Sequence, residues 1–248
     1  MNFIIPYYKD ERMIYTQKYL VNQGYHEVFD KNKADFAVFS PACDKESFAP
    51  YENKTVFYGA GDYDKKHKNF FDYNKREDFK YKNALLTTEG AIAIYKENSD
   101  KAILGANILI TGFGKIGKAL CSVLKNMGAK VTVCARSSIN KAQAETIADK
   151  VIDFSSINCS EYDVIFNTVS AVYFTKNEID TFKNDAIYIE LASFPGGIDK
   201  HYAKSKNINI IAASKLPSRY SKETAGYLIG EAIDKMIKEG KVWKSVIA

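Results

Sequence analysis

The sequence predicts an α/β protein: a doubly wound parallel sheet of Rossmann type, preceded by a smaller N-terminal α/β domain. Three observations support that class. Short β-branched runs alternate with amphipathic stretches along the chain, the pattern of parallel strands joined by helices. A glycine triplet, Gly112, Gly114 and Gly117, stands directly between one such run and one such stretch. The 248 residues suffice for two modest domains, with the boundary expected near residue 97 (1–97 and 98–248).

In the N-terminal part, residues 3–7 form the first expected strand, and residues 11–23 an amphipathic helix that Gly24 stops. Residues 35–40 and 54–58 are apolar runs bounded by turn residues and predict two further buried strands. These elements suggest a flavodoxin-like or substrate-holding domain. Residues 61–83 are rich in Asp, Lys, Tyr and Asn without a clear period. They are expected to be a long surface excursion pinned by Phe70, Phe71, Tyr73, Phe79 and Tyr81. Residues 86–97 resume helical character and are expected to carry the chain into the second domain.

The glycine triplet gains weight from its context. Residues 107–111 form a buried-strand run that ends at Gly112. Ile116, Leu120, Val123, Leu124 and Met127 then recur at helical spacing, Gly128 stops the helix, and residues 130–134 start the next strand. In such a β-α-β unit the first glycine allows the tight turn and the second lets the backbone approach a pyrophosphate. The third lets helix and strand pack closely. The helix-start amides around Lys115 and Ile116 are positioned to hold the anion. The second strand of the unit ends Cys134-Ala135-Arg136-Ser137-Ser138, without the acid that would take a ribose 2′-hydroxyl. A guanidinium and two hydroxyls suit a 2′-phosphate instead, so NADP is expected over NAD.

Further strands are expected at 163–167, 186–191 and 208–212. Ligands in doubly wound sheets lie outside the carboxyl ends of the strands. That rule selects Asn167, Thr168, Val169 and Ser193 for the cofactor, and the turn Pro195-Gly196-Gly197 for the substrate. The last helix, expected over 221–239, has Ser221 as its N-cap. Ala225, Leu228, Ile229, Ala232, Ile233, Met236 and Ile237 form an apolar face, expected to pack back on the N-terminal domain. Lys215 and Arg219, just upstream, are candidates for a substrate carboxylate.

Composition narrows the function classes. Lys and Arg number 35 against 30 Asp and Glu, a net charge of +5 spread among acidic neighbours, which argues against a nucleic-acid binder. No run approaches the ~18 apolar residues of a membrane span, and the N-terminus reads as a strand rather than a secretion signal. Cys43, Cys121, Cys134 and Cys159 lack metal-ligand spacing, so no metal is expected and the setting expected is a reducing cytoplasm.

From about Leu86 onward the residues resemble the A subunit of bacterial dipicolinate synthase. The strings that carry the resemblance begin with Leu86-Thr87-Thr88-Glu89-Gly90-Ala91-Ile92, Gly112-Phe113-Gly114-Lys115-Ile116-Gly117 and Ala135-Arg136-Ser137-Ser138. Asn167-Thr168-Val169, Leu191-Ala192-Ser193-Phe194-Pro195-Gly196-Gly197, Leu216-Pro217 and Thr224-Ala225-Gly226 complete them. Residues 215–220 depart from the glycine-rich turn that family favours, and little matches before Leu86. The resemblance implies oxidation of a dihydrodipicolinate-type precursor to pyridine-2,6-dicarboxylate in spore formation. It also implies a nicotinamide cofactor and, as partner in an oligomeric assembly, a flavoprotein-like B subunit. Aromatisation removes a hydride and a proton, which makes Glu89 the candidate base, with Thr88 and Thr224 placed beside the small dicarboxylate. Two alternatives stay open: an NADP-binding regulatory subunit, and a related two-domain dehydrogenase acting on another small carboxylate.

Overall fold

The computed structural model describes residues 1–7, 9–59 and 62–240. The chain divides into two compact units, one formed by Met1–Asn83 with the residues from Pro217 onward, the other by Ala84–Leu216. The sequence reading puts the first boundary at 97/98. The actual division falls inside a helix, whose sequence carries no break to reveal it.

The first unit holds strands β1 (Asn2–Ile4), β2 (His26–Glu27), β3 (Phe36–Val38), β4 (Thr55–Tyr58) and β5 (Phe70–Asp72), with helix α1 (Arg12–Asn22) between β1 and β2. All pairs are parallel, and the order is β2-β1-β3-β4-β5, that of flavodoxin-like sheets. Successive strand residues alternate between two cores, because side chains on a strand point to opposite faces. Phe3, Phe36, Val38 and Phe57 join Met13 and Leu20 of α1. Ile4, Ala37, Val56 and Tyr58 join Phe48, Tyr51 and Phe70. That second face is covered by the short 3-10 turns Lys45–Tyr51 and Tyr63–Lys65, whose rings pack edge-on at 4.7 Å (Phe39–Phe48) and 4.9 Å (Phe48–Tyr63).

The expected excursion is corrected here. Gly61 lies outside the described residues, but from Phe70 the segment is the edge strand β5 and then the start of helix α2 (Glu77–Glu97). Phe70, Tyr73 and Phe79 are core residues, and Tyr73 donates its hydroxyl to the Phe39 carbonyl at 2.9 Å. Only Tyr81 keeps to the surface, 54% exposed. Hydrophobic period does not detect a three-residue strand among charged neighbours.

The second unit holds strands β6 (Asn107–Thr111), β7 (Lys130–Cys134), β8 (Lys150–Ile152), β9 (Val164–Asn167), β10 (Ile187–Glu190) and β11 (Asn209–Ala212). Its helices are α3 (Lys115–Asn126), α4 (Ser138–Glu145), α5 (Lys176–Ile179) and α6 (Lys200–Ser205). The all-parallel order β11-β10-β9-β6-β7-β8 is the doubly wound Rossmann order. Helix α7 (Leu216–Tyr220) follows, and α8 (Lys222–Lys238) belongs to the first unit. There Ile229, Ile233 and Ile237 enter the Phe3–Phe57 core, and α8 lies so close to α1 that a Cβ on Gly226 would stand 2.4 Å from the Arg12 carbonyl oxygen. Ser221 occupies the N-cap position without making a side-chain capping bond, its backbone being off the extended geometry that aims a cap (φ −141°, ψ 41°). Among the described residues no helix is long and apolar enough to cross a membrane.

Candidate functional site

The winding of the second sheet reverses between β6 and β9, and the loops leaving these two strands meet. A Cβ on Gly112 (φ +90°) would lie 2.4 Å from Thr168 Oγ1 and 2.7 Å from Val169 Cγ2. The turn therefore demands glycine twice over, by conformation and by space. Gly117 is fixed by the helix-to-strand approach, since a Cβ there would sit 2.1 Å from the Gly112 carbonyl oxygen. Around Gly114 nothing lies within 4 Å of an added Cβ. Two glycines thus close the turn, while the third opens its face to a ligand. Gly114 is also the N-cap of α3, so no side chain caps that helix; Lys118 N–H reaches the Gly114 carbonyl at 2.9 Å as its first backbone bond. Amides of a first turn have no acceptor within the helix and suit a phosphate oxygen. Lys115 and Ile116 stand half-buried in that turn.

At the end of β7, Arg136, Ser137 and Ser138 are all exposed. Ser137 caps α4, its Oγ accepting from Asn140 N–H at 3.2 Å, which leaves the hydroxyl proton to donate elsewhere. Arg136 makes no side-chain hydrogen bond or ion pair among the described residues.

Thr111, Asn167 and Glu190 are the last residues of β6, β9 and β10, and strand register puts them side by side. Their side chains form a buried polar row. Thr111 Oγ1 donates to Asn167 Oδ1 at 2.5 Å, and Asn167 Nδ2 donates to Glu190 Oε1 at 2.6 Å and to the Val169 carbonyl at 2.9 Å. Val169 N–H returns to Asn167 Oδ1 at 3.2 Å. Thr168 donates its hydroxyl to the Thr111 carbonyl at 2.8 Å. The side chains of Asn167 and Thr168, selected from sequence as ligand contacts, are thus engaged by the protein and hold the β9 loop in shape.

Glu190, only 7% exposed, is the residue that sequence reasoning missed. Besides Asn167 it accepts from Gly197 N–H at 2.7 Å, Ala192 N–H at 3.1 Å and the Tyr188 hydroxyl at 3.2 Å. Burial first, and then the Glu190 charge, push the Tyr188 phenol well above its ordinary range. The signal was present in the sequence: an acid ending the apolar run Ile187-Tyr188-Ile189 must be compensated if that strand is buried. Glu190 ties the turn at 193–197 to the sheet. Gly196 N–H closes that turn on the Ser193 carbonyl at 2.9 Å, and the Gly197 carbonyl accepts from Tyr173 and Phe174 N–H. Ser193 and Pro195 are exposed on it, while Gly196 and Gly197 are buried under it.

Residues 84–229 match the family described as S-adenosyl-L-homocysteine hydrolase, NAD binding domain, more than half of the chain. The chain belongs to this NAD-binding-domain family. It is also similar to the A subunit of dipicolinate synthase of Bacillus subtilis (strain 168), 27% identical over 169 residues. That match covers 66% of this chain and 56% of the relative, so the chain matches little more than half of the relative's length. The fold is that of dipicolinate synthase A structures. The Bacillus halodurans protein aligns with a TM-score of 0.84 at 22% identity, over 95% of this chain and 97% of that one. The Bacillus subtilis protein aligns at 0.85 and 20% identity, over 96% and 95%.

Several candidate residues lie outside the part of this NAD-binding domain just described. Helix α2 starts at Glu77 rather than at Leu86, so Glu89 is an exposed mid-helix residue instead of a helix-start carboxylate. Thr88 is buried and donates its hydroxyl to the Ala84 carbonyl at 3.0 Å. Lys215 is exposed after β11 with φ +56°, and Thr224 is exposed in the first turn of α8. Arg219, on α7, lies over its neighbour Tyr220, 5.2 Å from the ring centre. Three of the four thiols are buried, which pushes Cys121 up to about 11 and Cys134 and Cys159 up to about 12 and makes them poor nucleophiles.

Proposed function

We propose that the chain is an NADP-dependent oxidoreductase subunit of the dipicolinate synthase A type. In this reading it oxidises a dihydrodipicolinate-type precursor to pyridine-2,6-dicarboxylate during spore formation, in the cytoplasm, assembled with a flavoprotein-like B subunit. The observation that carries the reading is the similarity to the A subunit of dipicolinate synthase, joined to a glycine turn open at Gly114.

The open turn fits a dinucleotide. The first amides of α3, around Lys115 and Ile116, would hold its pyrophosphate, with Arg136, Ser137 and Ser138 at a 2′-phosphate. When bound, the nicotinamide supplies the hydride acceptor. The chain's own part is to orient and to take a proton. The turn 193–197, anchored on Glu190, walls the site, and Glu89 is the proposed proton acceptor. Lys215, Arg219, Thr88 and Thr224 are the proposed contacts of the substrate's carboxylates.

The test is pyridine-2,6-dicarboxylate formation from freshly generated dihydrodipicolinate, with NADP or NAD and with or without the B subunit. Product coupled to NADPH supports the reading, and the same assay on Glu89→Gln reads the contribution of that carboxylate. No product above the uncatalysed rate in any combination overturns it.

Arg136→Ala is expected to weaken NADP binding about 10- to 100-fold while leaving NAD binding unchanged, as loss of charge-assisted hydrogen bonds to a phosphate predicts. Calorimetric titration of both cofactors checks it. Lys215 holds a left-handed backbone conformation that costs a side-chain-bearing residue about 1 kcal/mol. This is the segment where the resembling family favours a glycine-rich turn. Lys215→Gly is therefore expected to raise thermal stability and, at the same time, to raise KM for the dicarboxylate. A gain in stability together with a loss of apparent affinity for the dicarboxylate separates backbone strain from ligand binding.

A further inference from the structure

The first unit has a switch point of its own, between β1 and β3, where the sheet order reverses. The loop leaving β1 carries Asp10 and leads into Arg12, the first residue of α1. Their side chains are 10% and 12% exposed, a largely buried pair. Arg12 Nε donates to Asp10 Oδ1 at 2.9 Å and Oδ2 at 3.2 Å, and Arg12 Nη2 donates to Oδ2 at 2.6 Å. Asp10 Oδ1 also accepts from Arg12 N–H at 3.1 Å, and the Ser40 hydroxyl, two residues past β3, lies against the same carboxyl group. Burial alone would push that carboxyl up; the hydrogen bonds and charge of Arg12 more than reverse this and hold it below its ordinary range.

Asp10 occupies one edge of the guanidinium. Nη1 and the second proton of Nη2 have no protein acceptor among the described residues. Nη1 is not sealed off, since Tyr95 Oη is the one buried side-chain polar atom without a partner among the described residues, so the free edge of the guanidinium remains reachable from solvent. The same arrangement is what a ligand fork requires, with one edge clamped so that the other is fixed before the ligand arrives. Tyr7, on the same loop, is 47% exposed with its ring 6.5 Å from that of Phe39.

We propose that Arg12, oriented by Asp10, is the binding residue of an anion subsite at this switch point, taking one carboxylate of a small dicarboxylate. The proposal rests on the function proposed above for the identity of that dicarboxylate, whereas the subsite itself stands on the geometry of the first unit.

The test is calorimetric titration of the full chain with pyridine-2,6-dicarboxylate, pyridine-2-carboxylate and, separately, NADPH. Wild type is expected to bind the dicarboxylate. Arg12→Gln is expected to weaken it about 10- to 100-fold with NADPH affinity unchanged, which also shows the variant folded. Arg12→Lys, which keeps the charge but not the fork, is expected to fall between. Equal dicarboxylate binding by wild type and Arg12→Gln overturns the subsite and leaves the pair as a staple of α1. Arg12-dependent binding of pyridine-2-carboxylate without turnover of dihydrodipicolinate keeps the subsite and overturns the function. No carboxylate binding by wild type overturns both.

Discussion

Glu190→Ala is expected to destabilise the second unit by about 2–5 kcal/mol, because it strands several neutral buried donors at once. The carboxylate accepts from Asn167 Nδ2, Gly197 N–H, Ala192 N–H and the Tyr188 hydroxyl. Alanine leaves those donors facing a cavity. Each buried group without a partner costs about 1–3 kcal/mol, and half-buried Ala192 recovers part of its share from water. Glu190→Gln keeps the shape but turns one acceptor into a donor facing other donors, so a smaller loss is expected. Urea unfolding followed by amide exchange at Gly197 and Val169 checks both. Unchanged protection at those amides in Glu190→Ala would show that the carboxylate does not hold the turn.

Gly114→Asp is expected to separate stability from ligand binding. Gly114 is the N-cap of α3 with φ −78° and ψ −164°, an extended backbone that any residue adopts, and an added Cβ meets nothing within 4 Å. Aspartate is a favoured N-cap and complements the helix dipole, so the fold gains about 0.5–1 kcal/mol. The same carboxylate takes the place in which a pyrophosphate would approach and repels it. At the effective dielectric of a protein surface two such charges at 4 Å oppose each other by about 4 kcal/mol, and cofactor affinity is expected to fall at least about 100-fold. A rise in melting temperature together with lost NADP binding is the predicted pair of results. Retained binding would move the dinucleotide away from this turn.

The glycine turn was legible because its constraints are local. Gly112 and Gly117 are demanded by a turn angle and one close backbone approach, and the strand before and helix after them carry their own periodicities. The parallel, doubly wound character of the second unit followed from strands alternating with helices. The brief strands β2 and β8 escaped notice, two and three residues long with exposed or half-buried positions, because they carry almost no hydrophobic pattern.

What the sequence determined by itself is therefore the dinucleotide-binding class and the place of the glycine turn between β6 and α3. Tertiary structure decided the rest. Tyr73 becomes a core residue because the Phe39 carbonyl offers its hydroxyl a partner. Helix α8 joins the first unit because Gly226 admits the α1 backbone. Glu190 acquires its role only when strand register brings Asn167, 23 residues earlier in the chain, beside its carboxylate. A buried charge is tolerated according to its partners, and those partners are neighbours in space that no local spacing records.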